Sequence, residues 1–147
     1  MSRPKLVETR DRFRLFSSVT TRWKDNDVYG HINNAVYNAW MDTAVTQFFR
    51  EHWPGLPDTS IIPVAAETQV TFHKSVSHPA NLETGFRVDR IGNSSVRCGV
   101  GIFTHRETAA AAWGHMIHVW VDRVSNQAVP IPDEVRQGLE TALILDD

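Results

Sequence analysis

The strongest constraint on the fold is one long helical segment that precedes a run of strand-like segments. Residues 35–52 contain no glycine or proline, and apolar side chains recur there at the three- and four-residue spacing of a helix. Asn33 or Asn34 can cap the start of this helix, and Pro54-Gly55 ends it. The predicted buried face consists of Tyr37, Met41, Ala44, Val45 and Phe48, widened by Val36 and Trp40.

Segments with alternating apolar residues flank the helix, one before it at residues 13–23 and four after it. Short polar breaks at residues 77–80 and 91–93 predict antiparallel hairpins between these strands. The strands follow one another instead of alternating with helices, so we predict an α+β fold in which one helix faces an antiparallel sheet of about five strands. The predicted inward rows of three strands are Val64, Ala66, Thr68, Val70 and Phe72; Leu82, Phe86 and Val88; and Val96, Cys98, Val100 and Ile102. In the last strand, from Trp113 to Val121, both alternating rows are apolar, which predicts that both of its faces are covered.

Length and composition exclude several classes of protein. The 147 residues, 41% hydrophobic and with no linker or repeat, predict one domain over residues 1–147. A formal charge of −2 with scattered basic residues argues against nucleic acid as a partner. One cysteine, no membrane-length apolar run and no signal-like N-terminus predict a cytoplasmic protein without a membrane partner.

The densest polar stretch runs from Asp25 to Asn34, between the first predicted strand and the helix. It places a carboxylate and the imidazole of His31 just before a helix N-terminus, whose free N–H groups carry about half a positive charge and can stabilise an oxyanion. A carbonyl group held there could be attacked. The same residues also fit a structural role, in which Asp25 and Asp27 shape the turn, Gly30 adopts a positive φ and the asparagines cap the helix.

Other kinds of catalytic site find no support in the sequence. It contains no Gly-x-Ser-x-Gly and no glycine-rich phosphate loop, and Cys98 falls on an apolar strand row, which predicts an inert buried thiol. His115 and His118 lie three apart on a strand and therefore point to opposite faces, so they cannot bind one metal ion together. His73 and His78 flank a turn and could converge on a metal ion, but we expect them to be surface residues.

Two further sets of residues have two interpretations each. Glu67 is the one acidic residue of its strand, on the face opposite Val64 and Val70, where it is either a solvated edge charge or a carboxylate that orients a water molecule or a histidine. Tyr37 and Trp40 fit both the core and the mouth of a pocket.

The spacing of the polar stretch resembles a family signature. The run Arg22-Trp23-x-Asp25-x-Asp27-x-x-Gly30-His31-x-Asn33-Asn34-x-x-Tyr37 is similar to that of the 4-hydroxybenzoyl-CoA thioesterase family, and Val119-x-Val121-Asp122 with Pro130-Ile131-Pro132 resembles its last strand and tail. The resemblance covers about residues 12–141. It implies a hotdog fold and cleavage of an acyl-CoA thioester, or less often an acyl-carrier-protein thioester, without a cofactor or metal.

The resemblance also implies roles for individual residues. Asp27, three residues before Gly30, matches the family's catalytic carboxylate, which acts as nucleophile or as general base. His31 matches the catalytic histidine of plant-type acyl-carrier-protein thioesterases, although Tyr29 stands where those enzymes have a catalytic asparagine. Backbone N–H groups from Asn33 to Ala35 would bind the oxyanion. The remaining candidates are Asn34 as a site-shaping residue, Glu67 or the lower-ranked Asp42 as another carboxylate, and Tyr37 and Trp40 for the acyl pocket.

The family resemblance predicts a homodimer or homotetramer with active sites at the subunit interface, and the five tryptophans and seven phenylalanines fit an oligomer. Cations that could meet the phosphates of CoA are Lys74, Arg87, Arg90 and Arg97. Two alternatives stay open: a non-catalytic hotdog module that binds acyl-CoA or another acyl thioester, and a hotdog hydratase or dehydratase.

Overall fold

A computed structural model describes residues 6–56 and 58–144 of the chain. It contains the predicted long helix and five strands in the predicted order, and the α+β prediction is confirmed. Short 3-10 turns at Arg10–Arg12 and Trp23–Asp25 precede β1 and α1. The elements are β1 (Leu15–Thr20), α1 (Asn34–His52), β2 (Ile61–Phe72), β3 (Asn81–Ile91), β4 (Ser95–Thr104), β5 (Ala112–Asp122) and α2 (Asp133–Glu140).

The strands form one antiparallel sheet in the order β1-β3-β4-β5-β2. β3 and β4 form a hairpin, as the break at residues 91–93 predicts, and β4 and β5 form another. The hairpin prediction at residues 77–80 is wrong, because β2 pairs with β5 at the far edge of the sheet instead of with β3. The connection from β2 to β3 passes the start of α1, where the Ile32 N–H donates to the Val76 carbonyl at 2.8 Å. This short connection does not make β2 and β3 pair, because the curved sheet brings the end of β2 and the start of β3 close to the N-terminus of α1 from different positions in the sheet.

The main core lies between α1 and the concave face of the sheet. The five predicted helix positions are buried, and Phe49 joins them at 2% exposure. Gly114 on β5 is required by this packing, because a Cβ there would lie 1.8 Å from the Gln69 carbonyl oxygen and 3.0 Å from Met41 Cε. On β5 the row that faces α1 contains Met116, His118 and Trp120.

A β-bulge in β2 corrects the predicted face of that strand. The register shifts between Ala65 and Glu67, so side chains before and after the bulge change faces. Glu67 lies opposite Ile117, and Val64 lies opposite Val119, so both are on the convex face of the sheet. The prediction that Val64 shares a face with Val70, away from Glu67, is therefore wrong.

Part of the convex face is covered by the segment before β1. Phe13 packs edge-on against Phe103 with ring centroids 5.6 Å apart, and Ala110 completes this small second core. The guanidinium of Arg87 lies 4.6 Å from the Phe13 ring centre. No helix in the described residues is long and apolar enough to cross a membrane.

Candidate active site

The turn before α1 holds Asp27 by one carboxylate oxygen. Asp27 Oδ1 accepts hydrogen bonds from the backbone N–H groups of Tyr29 at 2.9 Å and His31 at 3.2 Å. Gly30 has a φ of 81°, the left-handed conformation that glycine adopts without strain. The turn-shaping interpretation of Asp27 and Gly30 is confirmed. It leaves Oδ2 of Asp27 without a hydrogen bond from any described residue.

Asp25 anchors the same turn from inside the protein. Its side chain is 1% exposed and accepts three hydrogen bonds from Arg22, one from the backbone N–H and two from the guanidinium. Burial alone would raise the pKa of Asp25, but the Arg22 hydrogen bonds outweigh it and hold the pKa below its ordinary value. Because the Asp25 carbonyl accepts from the Asn33 N–H at 2.8 Å, Asp25 also ties the turn to the start of the helix.

The N-terminus of α1 presents one free backbone donor to the site. Asn33 caps the helix, since its side chain accepts from the Ala35 N–H at 2.9 Å. The Asn33 N–H already donates to Asp25. Of the three N–H groups that the sequence proposes for the oxyanion, only that of Asn34 has no partner among the described residues.

Asp27, His31 and Asn34 line one pocket of about 210 Å³, whereas Asp25, Gly30, Asn33 and Ala35 support the turn and helix start without lining it. Tyr37 forms its buried wall and packs edge-on against Phe72 with ring centroids 5.1 Å apart. Burial raises the pKa of Tyr37, which is therefore a neutral phenol. The pocket is lined by Asp27, His31, Ile32, Asn34, Tyr37, Phe72, His73, Lys74 and Ser75.

The last four of these residues come from the end of β2 and the connection to β3. The sequence predicts Phe72 as an inward strand residue, His73 as a surface histidine and Lys74 as one of four candidate cations. His73 and Lys74 are exposed, and their N–H groups donate to the Ala111 carbonyl at 2.9 and 3.1 Å, which fixes the backbone beside the pocket. No local pattern assigns Phe72 or Ser75 to the site, because they reach it only through the pairing of β2 with β5.

Three other predicted site residues, Trp40, Asp42 and Glu67, lie away from the turn and outside this pocket. Trp40 contacts the Tyr37 ring but lines a separate groove with β1. Asp42 lies eight residues after Asn34, about two helical turns further along α1, in an open cleft of about 710 Å³. Glu67 is exposed on the convex face, where it accepts a hydrogen bond from Nε2 of His115 at 2.9 Å.

His115, His118 and Cys98 agree with the sequence interpretation, whereas His78, expected at the surface, is half-buried with its Nδ1 2.7 Å from the Thr21 hydroxyl. His115 bonds Glu67 on the convex face while His118 packs edge-on against Phe49 of α1, so the two imidazoles point to opposite faces. Cys98 is fully buried, and burial raises the pKa of its thiol far above the ordinary value. In residues 6–56 and 58–144, no three His, Cys, Asp or Glu side chains are placed to hold a metal ion.

Among the four candidate cations, Lys74 alone lines the pocket. Arg87 is paired with Glu8 at 2.9 Å and Asp89 at 2.6 Å, and Arg97 is 3.6 Å from Asp89. Arg90 is exposed on β3, outside the pocket. Lys74 is therefore the cation placed to meet an anionic ligand at this site.

Residues 21–139 match the profile of the thioesterase-like superfamily, a range that contains the turn, α1 and the four strands after it. The chain belongs to this superfamily. Its architecture, a long helix packed against a curved five-stranded antiparallel sheet, is the hotdog fold that the resemblance implies, so both expectations are confirmed.

Several solved structures superpose closely on the chain. The PA5185 protein of Pseudomonas aeruginosa is 34% identical, with a TM-score of 0.90 over 94% of this chain and 97% of that one. A Thermus thermophilus thioesterase complexed with coenzyme A and zinc is 26% identical, with a TM-score of 0.77 over 90% and 96%. The BH1999 gentisyl-coenzyme A thioesterase, 21% identical over 85% and 99% with a TM-score of 0.76, is similar in fold.

Proposed function

We propose that this protein is an acyl-CoA thioesterase that hydrolyses an acyl-CoA to a carboxylic acid and CoA. The observation that carries the proposal is the pairing of a carboxylate and an oxyanion donor in one pocket. Asp27 is held through Oδ1, and neither its Oδ2 nor the Asn34 N–H at the helix N-terminus has a partner in residues 6–56 and 58–144. Superfamily membership and a relative complexed with coenzyme A support the thioester as substrate.

In this mechanism the thioester carbonyl oxygen binds the Asn34 N–H, which stabilises the negative charge that develops when the carbonyl carbon is attacked. Asp27 Oδ2 either attacks that carbon itself, forming a mixed anhydride that water then hydrolyses, or removes a proton from the attacking water. In both routes the C–S bond breaks and its electron pair leaves on sulfur. His31 in the same pocket protonates the thiolate or orients the water, and Lys74 pairs with a CoA phosphate.

We further propose that the protein forms a homodimer through β2, with the active sites at the interface. β2 is an edge strand of 12 residues with β5 as its one neighbour, so its other side carries backbone groups ready to pair with a second copy. Beside the pocket, the turn exposes large apolar side chains that a second subunit would cover. These are Trp23, Val28 and Tyr29, each at least 82% exposed.

The test is hydrolysis of short, medium, long and aromatic acyl-CoAs, with thiol release followed by a chromogenic reagent. We expect Asp27→Asn to lower kcat on the best substrate by at least about 100-fold, the usual contribution of a general base. The amide oxygen of asparagine can still accept the Tyr29 and His31 hydrogen bonds, so the variant should fold normally. Asp133→Asn is the matched control, because Asp133 is an exposed carboxylate on α2, outside the pocket.

Three outcomes would contradict the proposal. Tight acyl-CoA binding without thiol release would identify a binding module, and loss of the conjugated double bond of an enoyl-CoA would identify a hydratase. Full activity of Asp27→Asn would remove Asp27 from the chemistry. Light scattering across a dilution series tests the dimer, and a monomer at assay concentration would refute it.

A further inference from the structure

A groove separate from the candidate active site runs between α1 and the edge strand β1. It consists of two adjoining pockets of about 210 and 230 Å³. The residues that line both pockets are Ser17, Ala44, Gln47 and Thr84. None of the residues that line the pocket of Asp27 lines this groove. We call it the α1–β1 groove.

The α1–β1 groove forms where three small side chains meet between the helix and the sheet. Ser17 of β1 lies directly opposite Thr84 of β3. Thr84 is two residues before Phe86, which stacks on Phe48 of α1, so the side chain of Thr84 points to the same, helix-facing side of the sheet. On α1 the small residue at this level is Ala44. Protein cores are close-packed, so a gap of this size between a helix and a sheet is a feature to explain.

Thr84 brings a hydroxyl into the groove that nothing else in the described chain binds. The residue is 4% exposed, and its hydroxyl has no hydrogen-bond partner among residues 6–56 and 58–144. In the same residues the fully enclosed side-chain atoms without a partner are Nδ1 of His118 and Nε1 of Trp120. The Thr84 hydroxyl is not one of them, so it is open to solvent, and the pockets that Thr84 lines are the two of the groove. Polar groups of buried residues are almost always hydrogen-bonded, which leaves this hydroxyl available to a ligand.

The other polar groups of the groove are neutral as well. The Ser17 hydroxyl has no partner among the described residues. The NH₂ group of Gln47 donates to Glu51 at 3.2 Å, which leaves the Gln47 amide oxygen unpaired in the same part of the chain. Glu51, exposed at one end, is the one charged residue among the described residues that line the groove. An anion would therefore lose its hydration without gaining an opposite charge.

We propose that the α1–β1 groove is a second ligand site, which binds a neutral molecule with a carboxamide or alcohol group on an apolar body. Such a group both donates and accepts hydrogen bonds, so it can pair with the hydroxyls of Thr84 and Ser17. The body would lie against the apolar wall, which includes Trp40, Phe48 and Phe86. β1 and β2 are opposite edges of the sheet, so the groove stays open in a dimer formed through β2. The proposal does not depend on thioesterase activity.

The test is an NMR titration of nitrogen-15-labelled protein with benzamide, benzyl alcohol, toluene and benzoate, in which the indole N–H signal of Trp40 is followed. Trp40→Phe identifies that signal among the five tryptophans. We expect saturable shifts with benzamide or benzyl alcohol, and binding of toluene and benzoate that is weaker by about 5-fold or more, the usual contribution of one hydrogen bond. Thr84→Val keeps the shape of the side chain without its hydroxyl, so it should weaken the amide and alcohol by a similar factor and leave toluene unweakened. Thr84→Ser, which keeps the hydroxyl, should retain most of the binding.

Two further variants separate this groove from the active site, whose wall residue Tyr37 packs on Trp40 with ring centroids 5.3 Å apart. Ser17→Leu puts a large side chain into the groove and should abolish the shift. Thr104→Val removes the hydroxyl of a half-buried threonine on β4, outside the groove, and should leave the shift unchanged. The proposal is overturned if neither benzamide nor benzyl alcohol shifts the Trp40 signal, or if toluene or benzoate binds equally well. It is also overturned if folded Thr84→Val or Ser17→Leu binds the probes as the wild type does.

Discussion

Asp25 and Asp27 lie in one turn, but their replacement by asparagine should have different effects. Asp25→Asn should lower the stability of the fold, whereas Asp27→Asn should lower catalytic activity. Asp25 is buried and both of its oxygens accept hydrogen bonds from Arg22. Asparagine at this position would aim an NH₂ group at an Arg22 donor and leave a buried polar group without a partner. At Asp27, by contrast, a single oxygen accepts both backbone hydrogen bonds, and the amide oxygen of asparagine can replace it.

The loss at Asp25 can be worked out from its partners. The backbone N–H of Arg22 donates to the charged carboxylate at 2.8 Å, an interaction of about 1.5–3 kcal/mol. The guanidinium is 58% exposed, so solvent screening limits its ion pair to about 1 kcal/mol or less. We therefore expect Asp25→Asn to lower the free energy of unfolding by about 2–4 kcal/mol. At about 2–4 °C per kcal/mol for a chain of this size, Tm falls by about 5–15 °C.

The assay is urea unfolding of the wild type and both variants, with the slope m checked for constancy. Asp27→Asn should change the free energy of unfolding by less than about 1 kcal/mol while it abolishes most turnover. Since the folded-state pKa of Asp25 is lowered, its contribution is complete above the unfolded pKa near 4 and is lost as pH falls through the lowered value. Asp25→Asn should therefore flatten the acid limb of stability. Equal stability of Asp25→Asn and wild type, or a larger loss for Asp27→Asn, would refute this reasoning.

Three further predictions concern the core. Gly114→Ala should destabilise by about 3 kcal/mol or more in urea unfolding, because the new Cβ would lie 1.8 Å from the Gln69 carbonyl oxygen; a wild-type midpoint would contradict the β2-β5 packing. Native Cys98 should resist thiol reagents until the protein unfolds, since burial raises its pKa and blocks access; rapid labelling of the folded protein would count against this. Burial lowers the pKa of His118, so stability should fall as pH drops below the unfolded value near 6.5, and His118→Leu should reduce that fall in melting temperatures between pH 8 and 5.

The sequence carried most of the information about the elements. Helical spacing at residues such as Tyr37 and Phe48, and alternation in β3 and β4, are local patterns set by the geometry of each element. The cap at Asn33 and the positive φ of Gly30 are also local, and the structure contains both. The family signature is short and contiguous, so it could indicate the superfamily and the turn that bears Asp27.

What the sequence could not determine depends on contacts between distant segments. The bulge that turns Val64 outward leaves no local mark, because Ala65, Ala66 and Glu67 fit a regular strand equally well. Pairing of β2 with β5 instead of β3 follows from closing the sheet around α1, and this closure brings Phe72, His73 and Ser75 to the pocket.

By itself, then, the sequence determined the kind and order of the elements and the turn that holds Asp27, because capping, turn chemistry and side-chain periodicity act over a few residues. The tertiary structure alone decided which N–H groups at the helix start stay free among the described residues, and which cation meets the pocket. The Asn33 N–H, for example, is occupied by its hydrogen bond to the Asp25 carbonyl. Which N–H groups are occupied in this way depends on how whole segments pack together. The availability of a group for chemistry is a property of the folded surroundings, and no local pattern encodes it.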